Sequence, residues 1–587
     1  MFRRWFRKLF PRAPDAASLN ETGIALWQAG ELAAAERQFR AALAQYSGHA
    51  PSASNLGMVL FGQGKFEEAL PCLRRAVELD PRHVGARANL GGVLHRMQSV
   101  EESLLHFREA MRLGGENPHL LASSLRPLMD ACAWDEVADR LGALQRDADE
   151  NRDNWADQIM PFVSLFLPIS EALQLRIARW HADKIEAGAR ALPRPSDRTG
   201  SGACLGLGDA KLRIGYLSSD FHDHATAYLA TEMLEAHDSD RFDIFAYSSG
   251  PEIGGDYRRR IKSACSHFGA HFVDIRTISD AAAAARIAAD GIDILVDMNG
   301  HTAGGRLEIF ALRPAPIQVA FLGYPGTTGS TFIDYLIVDR HIAPPGSEAG
   351  YSESVVRMPH SYQPNGRPPA PLPGLMTREE AGLPKDAFVF CCFNQHCKIE
   401  PLVFGMWMRI LAAVPRSVLW LIEGNRLSET RLHGEARRAG IEPQRLIFAP
   451  FVARARHLAR HRLADLCLDT HFVNGHTTGS DVLLAGAPML TWPGSTLAAR
   501  VGASLLHAAG LPELIASSEE NYIDIAIGMA RAPQRLIHLR AKLAAAHAGA
   551  PLFQAGMFAA DLERALAHMA QLKSSGLPAR GFNVCDF

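Results

Sequence analysis

Gly23, Gly57 and Gly91 stand 34 residues apart. Three further columns keep that period: Ala35, Ala69 and Ser103; Phe39, Leu73 and Phe107; and Ala42, Ala76 and Ala110. A fixed period of this length cannot come from one closed core. It requires a supersecondary unit that buries its apolar face against the next copy, so the front of the chain must be a stack of helix pairs. Small residues recur where paired helices approach closely, and a large residue recurs as the knob.

The period is that of tetratricopeptide repeats. Units run over 16–49, 50–83 and 84–117, with Pro81 ending the second. A degenerate fourth covers 118–151, keeping Trp134, Val137 and Leu141 in phase. Residues 152–210 then read as a helical cap and a linker. Trp155, Ile159, Phe162 and Phe166 are at helical spacing, Pro161 bends or restarts the helix, and 188–210 is rich in Gly, Pro and Ser.

From Lys211 the pattern changes to short apolar runs alternating with amphipathic stretches. Strands are expected at 212–217, 242–247, 272–275, 292–297, 317–321 and 335–338. A second series is expected at 388–393, 418–422, 446–448, 466–468 and 489–491. Strands alternating with helices imply parallel sheets covered on both faces. A Pro/Gly-rich stretch at about 364–384 separates the series, so two Rossmann-like domains are expected, 211–370 and 371–573. The second takes in the C-terminal helices, of which about 534–573 could pack back across the domains. Residues 574–587 read as a mobile tail, and 1–15 as a leader.

The totals exclude several classes. A chain of 587 residues exceeds a single core, and 47% hydrophobic with 21% charged residues is ordinary for a water-soluble globular protein. A net charge of −2 gives no basic field for nucleic acid. Nine cysteines, among them Cys391-Cys392, form neither a disulfide framework nor a paired zinc spacing; reduced thiols in a cytoplasm are the simplest reading. No run of about 18 apolar residues suggests a membrane span. Phe2 to Phe10 mixes four cations with five large apolar side chains. It reads as a frayed basic leader, with weak contact to an anionic membrane surface as the alternative.

The stretch Cys467 to Asp481 bears most directly on function. An apolar strand runs into the turn Asn474-Gly475, and Thr477 or Thr478 is expected to cap a helix with Asp481 in its first turn. Free N–H groups at such a helix start, with His476 and two threonine hydroxyls as added donors, suit a diphosphate. A capping box Thr478-x-x-Asp481 is the purely structural reading of the same residues.

Asn474-Gly475-His476-Thr477-Thr478-Gly479 resembles the nucleotide-sugar site of the O-GlcNAc transferase and SPINDLY family of glycosyltransferases. Further resemblances follow in order along the chain: Gly215 to Phe221 with His224, Ala311 to Gln318, Gly323 to Thr327, and Phe393-Asn394-Gln395 with Lys398. They cover roughly residues 211–560. The resemblance implies a repeat α-solenoid followed by a GT-B pair of Rossmann-like domains, and the transfer of a sugar to a protein hydroxyl. GlcNAc from UDP-GlcNAc is the first reading. GDP-fucose as donor is the alternative, and a non-catalytic repeat scaffold that senses a nucleotide sugar is a third reading.

The resemblance also implies roles. Lys398 contacts the diphosphate, with Gln395 nearby. His457 lies at the nucleobase, with Arg460 in the same segment. Asp481 contacts the ribose, and Arg454 stands where animal enzymes carry Lys near the base. His224 is catalytic base or positioner, and His267 and His301 line the acceptor side. Gly323 and Pro325 flank a tight turn that approaches the sugar. Asn55 and Asn89 occupy one repeat position and grip acceptor backbone, where the first unit has Glu21. No cofactor or metal is expected. Asp147-Ala148-Asp149 and Asp238-Ser239-Asp240 read as surface charge, leaving fixed electrostatics to relieve the diphosphate.

Overall fold

The structure is a computed structural model and describes residues 15–28, 30–115, 117–151, 156–195, 210–269, 271–366 and 376–587. The leader up to Pro14, Trp155, and much of the 188–210 linker and the 364–384 stretch lie outside the described residues, as do the side chains of Asp147 and Asp149. The chain divides into two compact units. One reaches to Gln158 and includes Asn425–Ser428; the other comprises Ile159–Gly424 and Glu429–Phe587.

The first unit holds four helix pairs in the expected phase. They are Ala16–Gln28 with Leu32–Gln45, Ala50–Gly62 with Phe66–Leu79, Val84–Arg96 with Val100–Gly114, and Pro118–Asp130 with Trp134–Asn151. The glycine column exists because the knob column fills its space. A Cβ on Gly23 would lie 2.6 Å from the Phe39 ring, one on Gly57 2.6 Å from Leu73, and one on Gly91 3.0 Å from Phe107. Ser103 replaces alanine without disruption because its hydroxyl donates to the carbonyl of Gly91 at 2.6 Å.

Two columns escaped the sequence reading. His49, His83 and Asn117 each start a helix, accepting from the N–H three residues on at 3.3, 3.1 and 2.9 Å. Gly30, Gly64, Gln98 and Cys132 hold the turn within each pair, all at positive φ (80°, 77°, 63° and 50°).

In the second unit, Pro161 opens a short helix, Pro161–Ser164, and Glu171–Ala189 follows. The first sheet contains β1 (Leu212–Ser218), β2 (Phe242–Ser248), β3 (Phe272–Asp274), β4 (Ile294–Asp297), β5 (Ile317–Ala320), β6 (Tyr335–Asp339) and β7 (Ser354–Met358). The second contains β8 (Phe388–Cys392), β9 (Ser417–Ile422), β10 (Leu446–Ala449), β11 (Leu466–Leu468) and β12 (Met489–Leu490). All the expected strands form. β7 was missed because it follows β6 without an amphipathic helical stretch between them.

The sheet orders are β13-β7-β6-β5-β4-β1-β2-β3 and β10-β9-β8-β11-β12, parallel throughout. The expected mobile tail is corrected here. It carries β13 (Phe582–Asn583), which extends the first sheet beside Val356 and Arg357. Phe582 anchors it, edge-on to His568 at 4.7 Å and to Tyr335 at 6.3 Å.

The last helix, Ala555–Ser574, packs back across the domains, on β5, β7 and the helix Ala225–Glu235 of the first sheet. Glu563 fixes it there, accepting from the N–H of Asp238 at 2.7 Å and meeting the buried His237 at 2.9 Å. Two hydrogen bonds join the domains: Ser504 donates to Asp339 at 2.6 Å, and Gln363 donates to Ser480 at 3.0 Å.

Candidate active site

In open parallel sheets, ligands bind beyond the carboxyl ends of the strands, where the strand order reverses. Here the reversals lie between β1 and β4 and between β8 and β11. The loops leaving these four strands carry most of the candidate residues.

At the second reversal the buried carboxylate of Asp469 organises both loops. It accepts from the N–H of Gly475 at 2.6 Å, from Thr491 at 2.8 Å and from Asn394 at 3.2 Å. Burial pushes its pKa up to about 6. The side chain of Asn474 spans between Thr470 and Gly502, which leaves its carbonyl toward Lys398; the Lys398 ammonium donates to it at 2.7 Å. Glu400, close to Lys398 in sequence, turns both its oxygens to the helix Pro401–Ala413, which it caps through the N–H groups of Leu402 and Val403. Gln395, which precedes the turn His396–Lys398, is exposed.

The helix beyond the Asn474 turn departs from expectation. It starts at Thr477, so His476 is the cap residue, and no side chain caps it. Asp481 lies past the first turn, which holds no acid, and there is no capping box. Its first N–H groups are therefore left for another acceptor, with half-buried Thr477 and Thr478 beside them. His476 is not the extra donor expected. Its Nε2 donates to the carbonyl of Ala498 at 3.1 Å, and burial with Lys398 nearby lowers its pKa to about 3, so the ring is neutral and Nδ1 can only accept.

Arg454 opens the helix Arg454–Arg460, and its guanidinium pairs with Asp481 at 2.8 and 3.2 Å. The carboxylate expected to face ribose is thus engaged by Arg454. Its pKa rises to about 6, because burial outweighs the guanidinium. Arg460 is corrected from a ligand contact to a buried brace. It donates to the carbonyl of Pro450 at 2.6 Å, meets His457 Nδ1 at 2.6 Å and stacks on Phe393 at 4.5 Å. Because arginine only donates, His457 must accept through Nδ1 and carry its proton on Nε2; burial holds its pKa down at about 2.

At the first reversal, the wholly buried Asn299 joins the exits of β1 and β4. It accepts from the N–H of Ser219 at 2.7 Å and donates to Ser219 and Asp220, both at 2.9 Å. Asp220 in turn lies 3.5 Å from Nδ1 of His224, which also stands 3.3 Å from the N–H of Thr226. The two contacts select opposite tautomers: an Asp220 partner leaves Nε2 able to accept a proton, while the Thr226 contact does not. His301 leaves β4 at the same edge, donating from Nε2 to the carbonyl of Thr328 at 2.7 Å. Burial lowers its pKa to about 4.

His267 is corrected. It is exposed at the carboxyl end of the helix Asp256–Ser266, bonded to the carbonyl of Ser263 at 3.0 Å. In a parallel sheet that helix end faces the opposite edge from the site. Gly323 lies in a tight turn, its N–H donating to the carbonyl of Phe321 at 2.9 Å; an added Cβ would lie 1.8 Å from the carbonyl oxygen of Met298, and Pro325 is buried. In the repeat unit, Asn55 donates to Asn20 at 3.0 Å and Asn89 to Ser54 at 3.1 Å. Asn20, one position before Glu21, begins that row.

The sequence reading assigned no role to Asp469, Asn394 or Asn299, although Asn394 stands in the motif Phe393-Asn394-Gln395. Each is a polar residue closing an apolar strand run, and that was the available signal. Among the described residues, no group of three or more His, Cys, Asp or Glu is placed to hold a metal ion.

The chain matches the profile of glycosyl transferase family 41 over residues 131–365 and 369–562, and that of the tetratricopeptide repeat over 54–118. It is 37% identical over 444 residues to a probable UDP-N-acetylglucosamine–peptide N-acetylglucosaminyltransferase SEC of Arabidopsis thaliana, covering 73% of this chain and 44% of that one. It is 31% identical over 570 residues to the UDP-N-acetylglucosamine–peptide N-acetylglucosaminyltransferase of Caenorhabditis elegans, covering 76% and 48%. The chain thus spans about half the length of these curated relatives. The solved structure of a point mutant of the Thermobaculum terrenum O-GlcNAc transferase superposes with a TM-score of 0.67 at 30% identity, over 96% of this chain and 98% of that one. The fold is accordingly a tetratricopeptide α-solenoid followed by a GT-B pair of Rossmann-like domains, and this chain belongs to glycosyl transferase family 41.

Proposed function

We propose that this chain is an inverting, metal-independent protein glycosyltransferase that moves GlcNAc from UDP-GlcNAc to Ser or Thr hydroxyls. The observation that carries the reading is the Lys398 ammonium beside the Asn474 turn, next to a helix start whose N–H groups lack a side-chain cap. A departing nucleoside diphosphate gains charge as the sugar bond breaks. A fixed cation and fixed N–H dipoles stabilise that charge without reorganising. His457 offers an Nε2–H toward a base, and Asp481 a carboxylate toward a ribose. The relatives' names support UDP-GlcNAc as donor.

On the acceptor side, His224 takes the hydroxyl proton when Asp220 holds the Nδ1–H tautomer, or else orients the hydroxyl. The repeats would present the protein. An amide nitrogen carries two hydrogens, so Asn55 and Asn89 can each donate to a peptide carbonyl while keeping their partners in the row. Calorimetry with UDP and with GDP in EDTA tests the donor half. Binding of UDP without metal is expected. Binding of GDP alone favours the fucose reading, and loss of UDP binding in EDTA overturns the metal-free mechanism.

A further inference from the structure

Arg454 makes two contacts that belong to different domains. Its guanidinium nitrogens pair with Asp481 in the second, and its plane lies 4.0 Å over the ring of Tyr228 in the first. Tyr228 is on the helix Ala225–Glu235 that His224 caps, and packs against Tyr257 of the neighbouring helix at 4.6 Å. Asp481, with a side chain only 8% exposed, needs a partner for its charge when no ligand is present. Arg454 supplies that partner from both sides of the carboxylate. Two ribose hydroxyls approaching the same oxygens must displace it.

We propose that Arg454 is a gate, held over the ribose carboxylate by Tyr228 in the nucleotide-free protein and released when the ribose diol takes its place on Asp481. This rests on the nucleotide-sugar reading above. It assigns Tyr228 as a positioning residue that acts through Arg454 and sets how much donor affinity is lost to opening the gate. Release also removes one contact between the second domain and the helix that His224 caps.

The test compares the full chain with Tyr228→Ala and Tyr228→Phe, titrated by calorimetry with UDP and with 2′,3′-dideoxy-UDP. Loss of a cation–π contact should tighten UDP binding by about 3- to 10-fold in Tyr228→Ala. Tyr228→Phe keeps the ring face and should bind as wild type does. The dideoxy analogue brings no hydroxyl to Asp481, so its affinity should not change in either variant. If Tyr228→Ala fails to fold, Tyr228→Leu, which keeps apolar bulk without the ring face, carries the same expectation. Unchanged or weaker UDP binding in the ringless variant, or an equal gain for the analogue, overturns the gate alone. Wild type that binds no UDP overturns the nucleotide-sugar reading, and the gate with it.

Discussion

Lys398 Nζ and the carbonyl oxygen of Asn474 are 2.7 Å apart, 76 positions distant in sequence. That bond, with those from Asn394 to Asp469 and Thr470, ties the loop leaving β8 to the loop leaving β11. A cation is thereby held beside the turn that leads into a helix start, an arrangement neither loop makes alone.

Lys398→Ala should cost turnover far more than affinity. The ammonium opposes charge that grows in the transition state, so its loss should lower kcat by about 100- to 1000-fold while UDP affinity changes much less. Steady-state kinetics with calorimetry in parallel separate the two. Equal turnover in the variant would remove Lys398 from the chemistry.

Asn299→Ala should damage both stability and transfer. Its buried amide satisfies Ser219 and Asp220 together. Removing it leaves the buried Ser219 N–H without its acceptor, at about 1–3 kcal/mol, and takes one donor from the Asp220 carboxylate that faces His224. Denaturant melts and kinetics should both move; a stable variant with a wild-type pH–rate profile would show that Asn299 does not set the His224 tautomer.

The repeat turns give a stability prediction with opposite signs. Gln98 adopts the left-handed conformation that glycine holds at Gly30 and Gly64. A side chain there costs roughly 1–2 kcal/mol. Gln98→Gly should therefore raise stability by about 1 kcal/mol, and Gly64→Ala should lower it by a similar amount, read by chemical denaturation.

His461 sets a pH dependence. It is wholly buried, its Nδ1 donates to the carbonyl of His457 at 2.7 Å, and burial lowers its pKa from 6.5 to about 3. A depressed folded pKa means the unfolded chain takes up the proton first. The stabilisation is complete above about 6.5 and is lost as pH falls toward 3. Relative to His461→Phe, wild type should lose on the order of 3 kcal/mol between about pH 7 and about pH 4. A difference that stays constant over that range would contradict the burial of a neutral ring.

The sequence made the architecture legible where a pattern repeats: the glycine and knob columns define the helix pairs, and apolar runs define eleven of the thirteen strands among the described residues. It missed β13 because its glycine-, serine- and proline-marked surroundings resemble a tail, while the pairing that orders it is with Val356, far away in sequence. In the site, residue types were readable but their engagements were not. Arg460 and His267 are polar side chains in suggestive segments, yet one is turned inward to Pro450 and Phe393 and the other lies at the wrong end of its helix. The pairing of Arg454 with Asp481 joins two helices, from positions 27 residues apart. Local spacing carries none of that information.

Transfer itself is the most direct measurement. The full chain would be incubated with UDP-GlcNAc carrying a radiolabelled sugar and soluble proteins of the source cell, in EDTA, with Lys398→Ala in parallel. Label should enter protein, be released by alkaline β-elimination as expected for Ser and Thr linkages, and be absent with the variant. Label only from GDP-fucose, label that resists alkali, or no label from wild type with any donor would contradict the assignment.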